Sequence, residues 1–138
     1  MSELIEQIDK TIIQNGLNLF KLTQDNTSLL LEQLRVAFNL NFNQLFLWET
    51  KVEKSSSWEY GDDWDSIFSK LLNQYFPSSV YLVVTDDEFY PWVVNAGDKV
   101  SVIALLYQQQ FFEYFIFDDL IEKILFDTHH NNLVLFEQ

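Results

Sequence analysis

The strongest constraint on the fold lies between residues 62 and 85. Trp64, Ile67, Phe68, Leu71, Leu72 and Tyr75 recur at helical spacing from a start at Asp62 or Asp63, and Pro77 forbids the helix from running on. Three residues later the pattern becomes Val80-Tyr81-Leu82-Val83-Val84-Thr85, β-branched and aromatic as a central strand requires, and Asp86, Asp87 and Glu88 close it. A helix feeding straight into a strand commits the chain to a sheet with helices packed on it.

The same reading extends in both directions. Leu4, Ile5, Ile8, Ile12 and Ile13 share one side of an amphipathic helix that follows Ser2, carries Glu3 and Glu6 in its first turns and stops at Asn15-Gly16. Leu17 and Leu19 suit a short strand, and Asp25 to Ser28 supplies cap chemistry for a second helix through about Phe38. The Asn-rich stretch 39–44 reads as a turn, Leu45 to Trp48 as a buried strand and Lys51 to Ser57 as a polar loop. Tyr90 to Asn95 reads as a strand or an irregular crossing, and Val100 to Tyr107 as a short helix with a strand as the alternative. Phe112 to Phe117 reads as a strand, Asp118 or Asp119 as the cap of a helix carrying Ile121, Ile124 and Leu125, and Leu133 to Phe136 as the final strand. The expected fold is α+β: one domain over residues 1–138, with a mostly antiparallel or mixed sheet of about five strands and helices mainly on one face. A three-layer α/β arrangement is the alternative.

Charge narrows the functional classes. The chain of 138 residues carries a net charge of −13 yet is 17% aromatic and 48% hydrophobic, which separates it from acidic disordered tails and gives it a folded core with a negative skin. Residues 1–54 hold seven acids and five bases, whereas residues 55–138 hold fourteen acids against Lys70, Lys99 and Lys123. Such a surface repels nucleic-acid phosphates and anionic lipid, and attracts a basic protein by long-range steering. Three Gly and two Pro leave no flexible linker, and the absence of Cys removes disulfides, thiolate metal sites and Cys nucleophiles. No segment has the roughly 20 apolar residues that span a bilayer, and Met1 to Glu6 reads as an acidic helix start rather than a secretory leader, so a cytoplasmic protein is expected.

Three constellations are candidates for function. In Trp58-Glu59-Tyr60-Gly61-Asp62-Asp63-Trp64-Asp65, four carboxylates interleave with three aromatics, the composition of an interaction hot spot for a basic partner. Helix capping by Asp62 and Asp63, with Trp64 in the buried stripe, is the structural alternative; Trp58 and Tyr60, set in a polar loop, carry the stronger functional claim. In Asp86-Asp87-Glu88, three acids at a strand end would join the partner surface, ligate a hard cation or act as paired carboxylates, although the spacing of a calcium loop is missing. Asp127-Thr128-His129-His130-Asn131-Asn132 offers two imidazoles beside a carboxylate, but adjacent His residues diverge on a helix, and a helix C-terminus ended by Asn accounts for them better. No nucleophile elbow, phosphate loop or dinucleotide fingerprint is present. No enzyme activity, metal or cofactor is therefore expected.

Val80 to Asp87, Phe112-Glu113-Tyr114-Phe115-Ile116 and Asp127 to Leu133 together resemble a family of small bacterial domains with a strand ending in acids, an EYYI-like strand and an ENHHD-like helix end. These are the immunity proteins of polymorphic-toxin and contact-dependent growth inhibition systems. This chain departs from the pattern with Asp127-Thr128 and Asn131 where the acids flanking His-His are expected. The resemblance implies a cytoplasmic antitoxin that binds a cognate toxin domain, a basic RNase or DNase, and blocks its active site or substrate groove. On that reading the partner-binding residues are Trp58, Glu59, Tyr60, Asp62, Asp63, Asp65, Asp86, Asp87 and Glu88. An acidic phage-type inhibitor or DNA mimic and a small metal-dependent hydrolase are the alternatives.

Overall fold

The computed structural model describes residues 3–44, 46–85, 90–109, 112–128 and 130–138. In chain order the elements are α1 (Glu3–Gln14), β1 (Leu19–Lys21), α2 (Gln24–Phe38), a single 3-10 turn (Leu47–Glu49), β2 (Lys54–Glu59), α3 (Trp64–Tyr75), β3 (Val80–Val84), β4 (Val93–Gly97), α4 (Lys99–Gln108), β5 (Tyr114–Phe117), β6 (Lys123–Asp127) and β7 (Asn132–Glu137). The strands form one sheet in the order β1-β4-β3-β5-β6-β7-β2, every neighbouring pair antiparallel. The fold is α+β, with seven strands where the sequence suggested about five.

Alternation along the strands divides the core between the two faces of the sheet. Leu82, Val84, Tyr114, Ile116, Leu125, Leu133 and Leu135 pack with Ile5 and Ile8 of α1, Phe68, Leu71 and Leu72 of α3, and Val102, Leu105 and Leu106 of α4. Their neighbours Val83, Phe115, Phe117, Ile124, Phe126 and Phe136 pack on the other face with Leu31, Leu34 and Phe38 of α2, Leu40, Leu47 and Trp92. Three helices thus cover one face, while one helix and the segments around Leu47 and Trp92 cover the other. On this face ring contacts run from Trp92 through Phe115 and Phe126 to Phe136, edge-on at either end and tilted between Phe115 and Phe126.

Local chemistry fixes the element ends. Thr23, not the Asp25 to Ser28 stretch, caps α2, its hydroxyl accepting the Asn26 N–H at 3.2 Å, and Asn39 ends the helix in the left-handed region with φ 52°. Asp98 caps α4 through the Ser101 N–H at 2.7 Å, and hydrogen bonds from Ser101 and Asn18 hold its carboxyl below the usual range. At Gly97 a Cβ would lie 2.0 Å from the Asn18 carbonyl oxygen, so only glycine lets β1 approach β4 there.

Three expectations are corrected. The segment read as a buried strand from Leu45 to Trp48 is the 3-10 turn Leu47–Glu49, with Leu45 outside the described residues. Lys51 to Ser57, read as a loop, contains most of the edge strand β2, whose Ser-rich residues are largely exposed and show no apolar alternation. The helix assigned to Ile121, Ile124 and Leu125 is strand β6. Asp118 caps a turn, not a helix: its carboxylate accepts the Leu120 N–H at 3.2 Å, its carbonyl accepts the Ile121 N–H at 3.1 Å, and Ile121 turns the chain with φ 51°. Ile124 and Leu125 are both buried because β6 has a core on each side, which erases the period of two.

Candidate functional site

The site forms where five element ends converge on the face that carries α3 and α4. Tyr60 follows β2 but stays in register with β7, donating its N–H to the Asn131 carbonyl at 2.8 Å. That bond sets the Tyr60 phenol beside the end of β6, where it donates to Asp127 Oδ1 at 2.7 Å. Tyr114, at the start of β5, donates its O–H to Asp127 Oδ2 at 2.9 Å, and Trp64, the first residue of α3, donates its indole N–H to the same oxygen at 3.1 Å. Asp127 is 3% exposed, so three side chains from three elements meet at one buried carboxylate. Burial first, and then the charge and hydrogen bond of Asp127, push the Tyr60 and Tyr114 phenols well above their usual range. Both therefore remain hydrogen-bond donors at any physiological pH.

This knot forms one wall of a cleft of about 400 Å³. The turn into α3 contributes Gly61 and Asp62, and its first helical turn contributes Trp64 and Asp65. The last turn of α4 contributes Leu106, Tyr107 and, just beyond it, Gln109, and Phe112 closes the wall next to Tyr114. Trp64 stacks on Phe68, centroids 4.9 Å apart and planes 13° apart, so one indole face is spent on the core while the ring still borders the cleft. Among the described residues the lining includes five aromatics and three carboxylates, with no Lys, Arg or His. A second depression of about 280 Å³ has the opposite character, being bordered by Lys21, Leu22, Pro91 and Trp92, with no carboxylate among the described residues of its lining.

Of the sequence-predicted set, the structure brings Tyr60, Asp62 and Asp65 to this cleft and places Trp58, Glu59 and Asp63 outside its lining. Trp58 lies in β2, not in a loop, and packs half-buried against Tyr75 with centroids 6.0 Å apart. Glu59 is exposed on the same strand. Asp63 occupies the position before α3 and accepts the Gly61 N–H at 2.9 Å, which braces the turn from within, while Asp65 accepts the Ser66 N–H at 2.9 Å. Asp86, Asp87 and Glu88 lie outside the described residues, as does His129. The segment from Asp127 to Asn132 is a hairpin turn between β6 and β7 rather than a helix end, although Asn131 does adopt the left-handed conformation, with φ 65°.

Tyr114, Phe112, Tyr107 and Asp127 escaped the sequence reading as site residues. Asp127 enters the sequence reading only beside the His pair, at an expected helix end; its partners stand up to 67 positions away, and only the sheet order unites them. Among the described residues no group of three or more His, Asp or Glu is placed to hold a metal ion. No helix among them is long and apolar enough to cross a membrane. Comparison of the chain with family models, curated proteins and solved structures gives no match.

Proposed function

We propose that the protein is an immunity-type inhibitor that captures a basic protein partner through the face around the Tyr60–Asp127 cleft. The observation that carries this reading is the lining of that cleft: Asp62, Asp65 and Asp127 set among Tyr60, Trp64, Tyr107, Phe112 and Tyr114, with no basic residue among the described ones. Aromatics anchor a contact at low entropic cost, and carboxylates satisfy the Lys and Arg that a nuclease presents to phosphate. The net charge of −13 adds steering toward such a partner. The partner class is a toxin domain with nuclease activity, held in the cytoplasm with its substrate groove blocked.

The test is coexpression with the C-terminal domain of a toxin encoded beside this gene, followed by copurification and a nuclease assay. The native chain is expected to copurify and to suppress the nuclease. The double reversal Asp62→Lys with Asp65→Lys is expected to lose both effects while melting at the native temperature, because both side chains are exposed. Full protection by the double reversal would move the interface away from this cleft.

A further inference from the structure

We infer that the cleft is a receptor for a single guanidinium group, filled by an arginine side chain of the basic partner; the inference rests on the partner-binding reading above. Three independent features converge on this chemistry. The first is size, since about 400 Å³ lies at the small end of the range of roughly 300–1,000 Å³ for ligand sites, enough for one long side chain and too little for a folded segment. The second is wall composition. A guanidinium is flat, weakly hydrated and always charged, so it stacks on aromatic faces while its N–H fork reaches carboxylates, and Trp64 and Tyr107 stand in the same lining as Asp62 and Asp65.

The third feature is the last turn of α4, a ten-residue helix whose C-terminal end carries partial negative charge and borders the cleft at Leu106, Tyr107 and Gln109. The opposing end of α3 carries partial positive charge, and Asp62, Asp63 and Asp65 crowd that end with acids. Those carboxylates outweigh the partial positive charge of the α3 end, roughly half a unit, so the balance around the cleft is negative. Asp127 orders this arrangement from below. By accepting from Tyr60, Trp64 and Tyr114 it fixes three aromatic rings in one geometry, so the walls are set before a cation arrives.

The indole N–H of Trp64 supplies the reporter, because its resonance senses both the Asp127 bond and anything stacked on the ring. Titration of the whole protein with N-acetyl-arginine amide is expected to move that resonance saturably in the millimolar range. N-acetyl-citrulline amide, equal in shape but neutral, is expected to leave it in place. Asp62→Asn with Asp65→Asn is expected to weaken the arginine response at least threefold while the fold is retained. An equal response to both probes, or none to arginine, overturns the inference. In the complex with the captured toxin domain, the resonance is expected to sit already shifted and to ignore added N-acetyl-arginine amide. If it still titrates there, the cleft is open in the complex and the assignment to a partner arginine is wrong. Capture is scored separately by copurification, so either failure leaves the partner reading standing. A saturable arginine response in a chain that captures no toxin domain refutes the partner reading, and with it the arginine's source, while leaving the cation chemistry in place.

Discussion

Asp127 accepts hydrogen bonds from Tyr60, Trp64 and Tyr114, which lie 67, 63 and 13 positions away in the chain. Hydrogen bonds to a charged group contribute about 1.5–3 kcal/mol each when buried, and an orphaned buried hydroxyl costs about 1–3 kcal/mol. Asp127→Ala is therefore expected to destabilise the protein by about 3 kcal/mol or more, and Asp127→Asn by less, since the amide oxygen still accepts; urea unfolding measures both. The same residue sets an alkaline limit. Burial, and then Asp127, raise Tyr60 and Tyr114, and burial with a hydrogen bond to Asp119 pushes Tyr81 up to about 12. A folded-state pKa above the unfolded one contributes stability that is complete below about pH 10 and is lost as pH rises through the folded value. Stability is accordingly expected to fall above about pH 10, with three of the six tyrosines titrating late in an absorbance scan at alkaline pH. Tyr81→Phe should make the loss of stability with pH shallower. A tyrosine titration that is complete near pH 10 would contradict the burial of these phenols.

Among the elements, α3 carries both the core and the site. Phe68 is fully buried and supports the Trp64 ring, so Phe68→Ala is expected to cost about 3–5 kcal/mol and also to blunt the response of the Trp64 indole. Strand β2 makes a sharper prediction. The Tyr60 N–H bonds to Asn131 and the register continues as Trp58 opposite Leu133 and Ser56 opposite Leu135, so the even residues face β7 and Ser55, Ser57 and Glu59 face the open edge. Ser56→Pro should therefore cost about 2 kcal/mol more than Ser57→Pro, a difference read directly from unfolding midpoints. A reversed order would mean a different register. The elements that were legible in sequence are those with a buried stripe or a run of β-branched and aromatic residues: α1, α2, α3, β3, β5 and β7; α4 is a helix as expected, but Val100 and Tyr107 are exposed on it and Val102, Leu105 and Leu106 face the core. The illegible ones are β2, whose KSSSWE sequence buries too little to alternate, and β6, buried on both faces so that Ile124 and Leu125 mimic a helix. The cleft was half legible. Its rim lies in one stretch of sequence from Tyr60 to Asp65, whereas its floor comes from β5 and β6, which no local pattern joins to that stretch.

For the whole molecule, the separation of charge from core decides behaviour in solution. The hydrophobic clusters fill both faces of the sheet, and the described carboxylates lie mostly at helix starts, turns and strand ends, where they remain wet. Exposed charges are screened beyond about 8 Å at physiological ionic strength. Association with a basic partner is therefore expected to slow roughly tenfold between 0.05 and 0.5 M salt while dissociation changes little, as stopped-flow kinetics will resolve. A rate indifferent to salt would remove steering from the account. The sheet order also governs when the cleft exists at all. Strand β2 has one neighbour, β7, so residues 54–59 wait for residues 132–137 before they are paired. Such distant pairing is slow compared with helix formation. On the ribosome, a nascent chain that has not yet reached β7 holds Tyr60 with no ladder to place it against Asp127, and so has no cleft. Tyr60 is thus set against Asp127 only once residues 54–59 and 132–137 have paired, however early α3 forms.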